Sequence, residues 1–158
     1  MDTLRVLSLN CHGFNSGTAM YVKYVHSIMN VDIVLLQETW LSNSNSHLIS
    51  DLLPQFTVTH ASAMEQKISS GIFVGRPFGG TAVLVHSTLA KHCSAVFSSN
   101  PRVTAIRFHP RHGNDLIISS VYMPCNNGSA EYVVEFEATI GCLHGIIDKY
   151  PCSRFIFG

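Results

Sequence analysis

Charge is scarce in this sequence. Lysine and arginine together number 10, aspartate and glutamate also 10, and charged residues fill only 13% of the 158 positions. The formal net charge is zero, so no bulk field draws the chain to nucleic acid or to an anionic membrane. A nonspecific DNA binder is ordinarily more basic. No apolar run approaches the roughly 20 residues that span a bilayer. The opening segment, MDTLRVLSLN, lacks the basic region, long apolar run and small-residue cleavage site of a secretion signal. The cysteines (Cys11, Cys93, Cys125, Cys142 and Cys152) are odd in number, and no two stand in CxxC spacing. These absences point to reduced thiols in an intracellular protein that is neither secreted nor membrane-bound.

Apolar residues are plentiful, at 46%, enough for one globular domain with a real core. There are no internal repeats, low-complexity runs or linkers. LRVLSLN (4–10) is short and apolar and is expected to form a strand. Residues 18–30 carry Tyr21, Val25 and Ile28 at helical spacing, with Thr18 as the expected N-cap. VDIVLLQ (31–37) has no polar alternation, so both faces of that strand should be buried. Strand, helix and strand within about 35 residues make a βαβ unit with two parallel strands.

A polar loop at 42–46, a short helix or turn at 47–53 and an alternating strand at 55–61 are expected next. GRPFGG (75–80) reads as a tight loop. Four segments, 81–86, 92–97, 102–110 and 115–124, read as an antiparallel meander, with RHGND (111–115) as a hairpin tip. A second helix begins at an N-cap, Ser129, with a stripe of Val133, Phe136, Ile140, Leu143 and Ile147, and stops at Pro151. RFIFG (154–158) starts another strand. Mixed strands with helices outside give an α/β sandwich.

Three features could carry chemistry. Glu38 follows a buried strand, and ligands gather at the carboxyl ends of parallel strands. If the strands ending at Asn10 and Gln37 are parallel neighbours, Asn10 and Glu38 emerge together as a hard-oxygen site suited to Mg²⁺. The plainer alternative is a solvated glutamate and a turn-forming asparagine. The segment SSVYMPCNNG (119–128) offers Tyr122 and Asn126 as donors to a phosphate or sugar, or simply a strand ending in a Pro-Asn-Gly turn. HPRH (109–112) has two histidines but no carboxylate partner nearby in sequence, and reads as surface. GRPFGG lacks the Lys-Ser/Thr of a phosphate-cradling loop.

In order along the chain, LSLNCHGF, DIVLLQETWL, GRPFGGTAVLV, LIISSVYMPCN and RFIFG resemble the endonuclease/exonuclease/phosphatase superfamily. The likeness is greatest to the apurinic-type endonuclease domain of non-LTR (LINE-type) retrotransposons. It runs through essentially the whole sequence. It implies a four-layer deoxyribonuclease I-like α/β sandwich, here incomplete, that hydrolyses phosphodiesters with Mg²⁺ or Mn²⁺. It implies that Glu38 and Asn10 hold the metal, that Tyr122 faces the scissile phosphate, and that Asn10, Tyr122 and Asn126 contact substrate. In this reading Glu38 and Tyr122 are the catalytic residues. Cys125 stands between Pro124 and Asn126, where the superfamily's asparagine directly follows proline.

The resemblance also implies DNA as partner and, within a retrotransposon protein, a nuclear location. The superfamily's GDFN motif, whose aspartate and asparagine position water and phosphate, would begin at Gly158. The expectation is therefore an N-terminal fragment with little or no activity of its own, and with an exposed edge at 154–157 open to association or aggregation. A phosphatase or RNA nuclease of the same superfamily, and a non-catalytic remnant, are the alternatives.

Overall fold

A computed structural model describes residues 3–71 and 75–158. The elements run β1 (Val6–Asn10), α1 (Ser16–Met29), β2 (Ile33–Gln37), α2 (His47–Leu52), β3 (Phe56–Ala61), α3 (Glu65–Ser69), β4 (Thr81–His86) and α4 (Ser87–Ala90). They continue with β5 (Cys93–Val96), β6 (Val103–Phe108), β7 (Leu116–Val121), α5 (Ala130–Lys149) and β8 (Arg154–Phe157). The strands form two four-stranded sheets, ordered β1-β2-β4-β3 and β5-β6-β7-β8. Each sheet carries one parallel pair, β1 with β2 and β7 with β8, and is otherwise antiparallel. Both parallel pairs are bridged by a helix, α1 or α5, as a parallel connection requires.

Three apolar clusters separate four layers. Ala19 and Val22 of α1 and Ile49 of α2, with Leu53 just beyond it, pack on Val34, Leu36 and Leu84 of the first sheet. The opposite faces of the same strands, Ile33, Leu35, Val83 and Val85, meet Ile106, Phe108 and Ile118 of the second sheet. Ile146 of α5 covers the outer face of the second sheet at Val103, Ala105 and Ile117. Every residue of β2 is buried, because alternate side chains point into two different apolar layers. At about 25 cal/mol per Å² of apolar surface, such two-sided burial makes β2 and its neighbour β4 large contributors to the stability of the first sheet.

Three expectations need correction. Helix α1 starts earlier than Thr18: Asn15 is the N-cap, its Oδ1 accepting from Gly17 N–H at 2.8 Å and Thr18 N–H at 3.1 Å. The meander has three strands, not four, because β4 crosses to the first sheet and pairs with β2 and β3. Finally, the expected α5 stripe holds only in its second half: Val133 and Phe136 are exposed, Leu143 packs on the sheet cluster, and Thr139 and Ile146 are the buried positions.

Candidate active site

The parallel register sets Asn10 opposite Gln37, so the chain leaves both strands at the same edge of the sheet. Beyond that edge the segments are joined by backbone bonds. Cys11 N–H donates to Gln37 O at 3.0 Å, Gly13 N–H to Glu38 O at 2.8 Å and Phe14 N–H to Thr39 O at 2.9 Å. On the far side, Thr39 N–H reaches Gly80 O at 3.2 Å and Trp40 N–H reaches Gly79 O at 2.9 Å. NCHGF, QETW and FGG, which are distant in sequence, thus form one three-ply structure.

This structure is strained and crowded. His12, Glu38 and Trp40 adopt φ values of 45°, 53° and 56°, a left-handed region that side chains other than Gly, Asn, Asp and His seldom enter. Such strain collects at functional sites. A Cβ at Gly13 would lie 2.7 Å from the Trp40 ring, and one at Gly80 2.6 Å from Thr39 Oγ1. At φ of 96° and 82° respectively, both positions call for glycine twice over. Buried Thr39 is pinned by its hydroxyl, 3.1 Å from His60 Nε2. Burial pushes His60 down to about 4, against the pull of Glu65, so near neutral pH the imidazole meets the hydroxyl uncharged.

The turn presents Glu38 at the mouth of a cleft. Asn10 Nδ2 donates to Glu38 Oε1 at 2.7 Å, and Asn10 Oδ1 accepts from His12 N–H at 3.1 Å. His12 Nδ1 lies 3.4 Å from Glu38 Oε2. Tyr122, from the second sheet, lines the same cleft with its hydroxyl near enough to the carboxylate to lower its pKa. Burial acts to raise the Glu38 pKa, but the bonds from Asn10, Tyr122 and His12 outweigh it and hold the carboxyl below its usual value. Burial, then the hydrogen bond to Glu38 and its charge, push Tyr122 up to about 12, so its hydroxyl stays a donor.

The cleft, about 720 Å³, runs from Glu38 and Trp40 to Arg102, Tyr122, Asn127 and Tyr132. Arg102 lies over the Tyr122 ring at 5.5 Å and bonds Glu135 Oε2 at 2.7 Å. The structure therefore brings Asn10, Glu38 and Tyr122 together. Asn126 is exposed and bonds Gly128 N–H at 3.0 Å, and its neighbour Asn127 lines the cleft instead. Asn10 orients Glu38 through its Nδ2, while its Oδ1 takes one bond from His12 N–H and keeps a second lone pair. HPRH also gains a carboxylate, since His109 Nδ1 lies 3.0 Å from Asp115 Oδ1 across the hairpin.

Sequence reading missed His12, Thr39, His60 and Arg102. His12 and Thr39 stand inside the NCHGF and QETW motifs, whereas His60 and Arg102 sit in the strand segments 55–61 and 102–110 with no signal of their own. Among the described residues, no group of three or more His, Cys, Asp or Glu gathers around one point. One oriented carboxylate beside hydroxyl and amide groups nevertheless fits a hard dication, which takes one or two protein carboxylates and keeps several waters. Among the described residues, no helix is long and apolar enough to cross a membrane.

No family model matches the sequence, and no curated protein matches it. Solved structures do match its fold. An AP endonuclease from Archaeoglobus fulgidus is 15% identical with a TM-score of 0.62, over 93% of this chain and 52% of the other. The AP endonuclease LMAP from Leishmania major is 15% identical with a TM-score of 0.63, over 93% and 47%. A 3′ phosphatase from Neisseria, in a structure bound to product DNA hairpin, is 15% identical with a TM-score of 0.62, over 98% and 57%. The chain spans about half the length of these proteins. Its two mixed sheets flanked by helices have the deoxyribonuclease I-like fold of the AP endonuclease structures.

Proposed function

We propose that this chain is part of a divalent-metal phosphodiester hydrolase acting on DNA, of the retrotransposon endonuclease type. The observation that carries the reading is Glu38: a carboxylate on a strained, three-ply turn, oriented by Asn10 and faced by Tyr122 across a cleft. Glu38 would hold Mg²⁺ or Mn²⁺. When bound, the cation neutralises charge developing on the phosphate. Asn10 fixes the carboxylate's rotation through its 2.7 Å bond. Tyr122, held protonated, donates to a phosphate oxygen. Asn127 and Arg102 line the path the nucleic acid would take. The retrotransposon assignment rests on QETW and GRPFGG, whose backbones bond to each other beside Glu38.

GDFN does not occur among the 158 residues. We therefore propose that this polypeptide, tested alone, nicks DNA negligibly. An unpositioned water forfeits several orders of magnitude of rate. A supercoiled-plasmid nicking assay with Mg²⁺ tests it. Background-level nicking is expected, and nicking that Glu38→Ala abolishes would overturn the inactivity. The outer side of β8, which among the described strands bonds to β7 alone, is the proposed seat of association with another strand.

A further inference from the structure

His12 has no part in the reading above, yet it is closely held. Its side chain is 79% exposed, so no core packing accounts for it. Its N–H is bonded to Asn10 Oδ1, and its ring lies 4.4 Å from the Trp40 ring, tilted by 60°. The left-handed φ of 45° does not itself call for imidazole, since Asn or Gly adopts it as readily.

The ring places Nδ1 at 3.4 Å from Glu38 Oε2. A charge-assisted N–H···O⁻ bond is shorter, about 2.7–2.9 Å. Two adjacent donors each about 2.1 Å from one octahedral cation stand about 3.0 Å apart. The observed separation is nearer to that spacing than to a direct charge-assisted bond.

We propose that His12 Nδ1 and Glu38 Oε2 bind the same divalent cation, so that the site prefers a transition-metal dication such as Mn²⁺ to Mg²⁺. This rests on Glu38 being a metal ligand. The physical reason is donor type: imidazole suits first-row transition metals, whereas Mg²⁺ favours an all-oxygen shell. Mn²⁺ accepts both donors. His12 thus sets which cation occupies the site, and Glu38 sets that one is held at all.

Calorimetric titration with Mn²⁺ and with Mg²⁺ separates the two statements, using the full 158-residue chain above neutral pH, where free imidazole is uncharged. His12→Asn keeps a residue tolerant of the left-handed turn. It is expected to weaken Mn²⁺ binding by about tenfold or more, the least that perturbing a metal's ligand environment costs, and to leave Mg²⁺ within about twofold. Pulsed electron paramagnetic resonance of bound Mn²⁺ should show a directly bonded nitrogen that disappears in His12→Asn. Unchanged Mn²⁺ affinity and no nitrogen coupling, with binding still lost in Glu38→Gln, would overturn the His12 inference and leave Glu38 standing. Binding that survives Glu38→Gln, or none in the parent chain, would overturn both.

Discussion

The two walls of the cleft are built differently. The wall that carries Glu38 consists of residues 10–14, 37–41 and 79–81, drawn from three separate strand ends and joined by backbone hydrogen bonds. On the opposite wall Tyr122 is tied to Arg102, but the loop beyond it that carries Asn127 is held by short-range bonds. Asn126 bonds Gly128 N–H, and Asn127 Oδ1 takes both the N–H and the hydroxyl of Ser129, at 3.0 and 2.7 Å. A cation site gains from fixed donors, because misplacing a group by an ångström is costly. A surface that must follow a nucleic-acid backbone gains from loops that adjust. Under the proposed function, the difference assigns stiffness to the wall that would hold the cation and compliance to the loop that would meet the substrate.

Matched substitutions on the two walls can break this comparison. Gly80→Ala adds a methyl group against buried Thr39 at φ 82°, and a destabilisation of about 3 kcal/mol is expected from overpacking plus left-handed strain. Gly128→Ala, at φ 75° with nothing within 4 Å of its Cβ, should cost about 1 kcal/mol. Urea denaturation measures both, and equal losses would remove the contrast.

A pH-dependent effect concerns His60, which backs the stiff wall. Its folded pKa lies near 4 against an ordinary 6.5, so between those values the unfolded chain binds more protons. Its contribution is intact above about pH 6.5 and is lost as pH falls toward 4, by at most about 3 kcal/mol. His60→Gln should flatten the acid side of the stability profile by that amount. A variant profile that runs parallel to the parent's would show that His60 does not support the turn.

The smallest change is expected on the compliant wall. Tyr122→Phe removes one hydroxyl, and stability should move by less than about 1 kcal/mol. The Glu38 carboxyl, followed by NMR, should titrate higher, because one of the bonds holding it down is gone. A Glu38 titration that does not move would mean that Tyr122 leaves the carboxylate unaffected.

The compliant wall was also the more legible one in sequence. Ser129 as N-cap and the Pro-Asn-Gly turn are local signals, each set by residues within a few positions. The strand pattern also gave the βαβ unit and the completely buried β2, because an unbroken apolar run admits few other fates. Glu38 and Asn10 could be paired in advance because the parallel register of two adjacent strands follows from that unit. The rest of the stiff wall depends on contacts across 20 to 40 residues, which no local pattern encodes. His60 meets Thr39 and Trp40 covers Gly13 only after both sheet edges are in place. The stripe on α5 misled for a related reason: helical periodicity marks an apolar face but not how much of it a sheet of this width covers.

Trp40 is the chain's one tryptophan, and it sits on this three-ply turn with its ring against Gly13 and beside His12. Intrinsic fluorescence is therefore a local signal in this protein, reporting the cleft mouth and not the apolar layers. An optical melt would record the loss of the turn, while circular dichroism would record the loss of the sheets. If the turn opens first, the two curves separate, and the gap between them measures how far the site can disassemble while the fold persists.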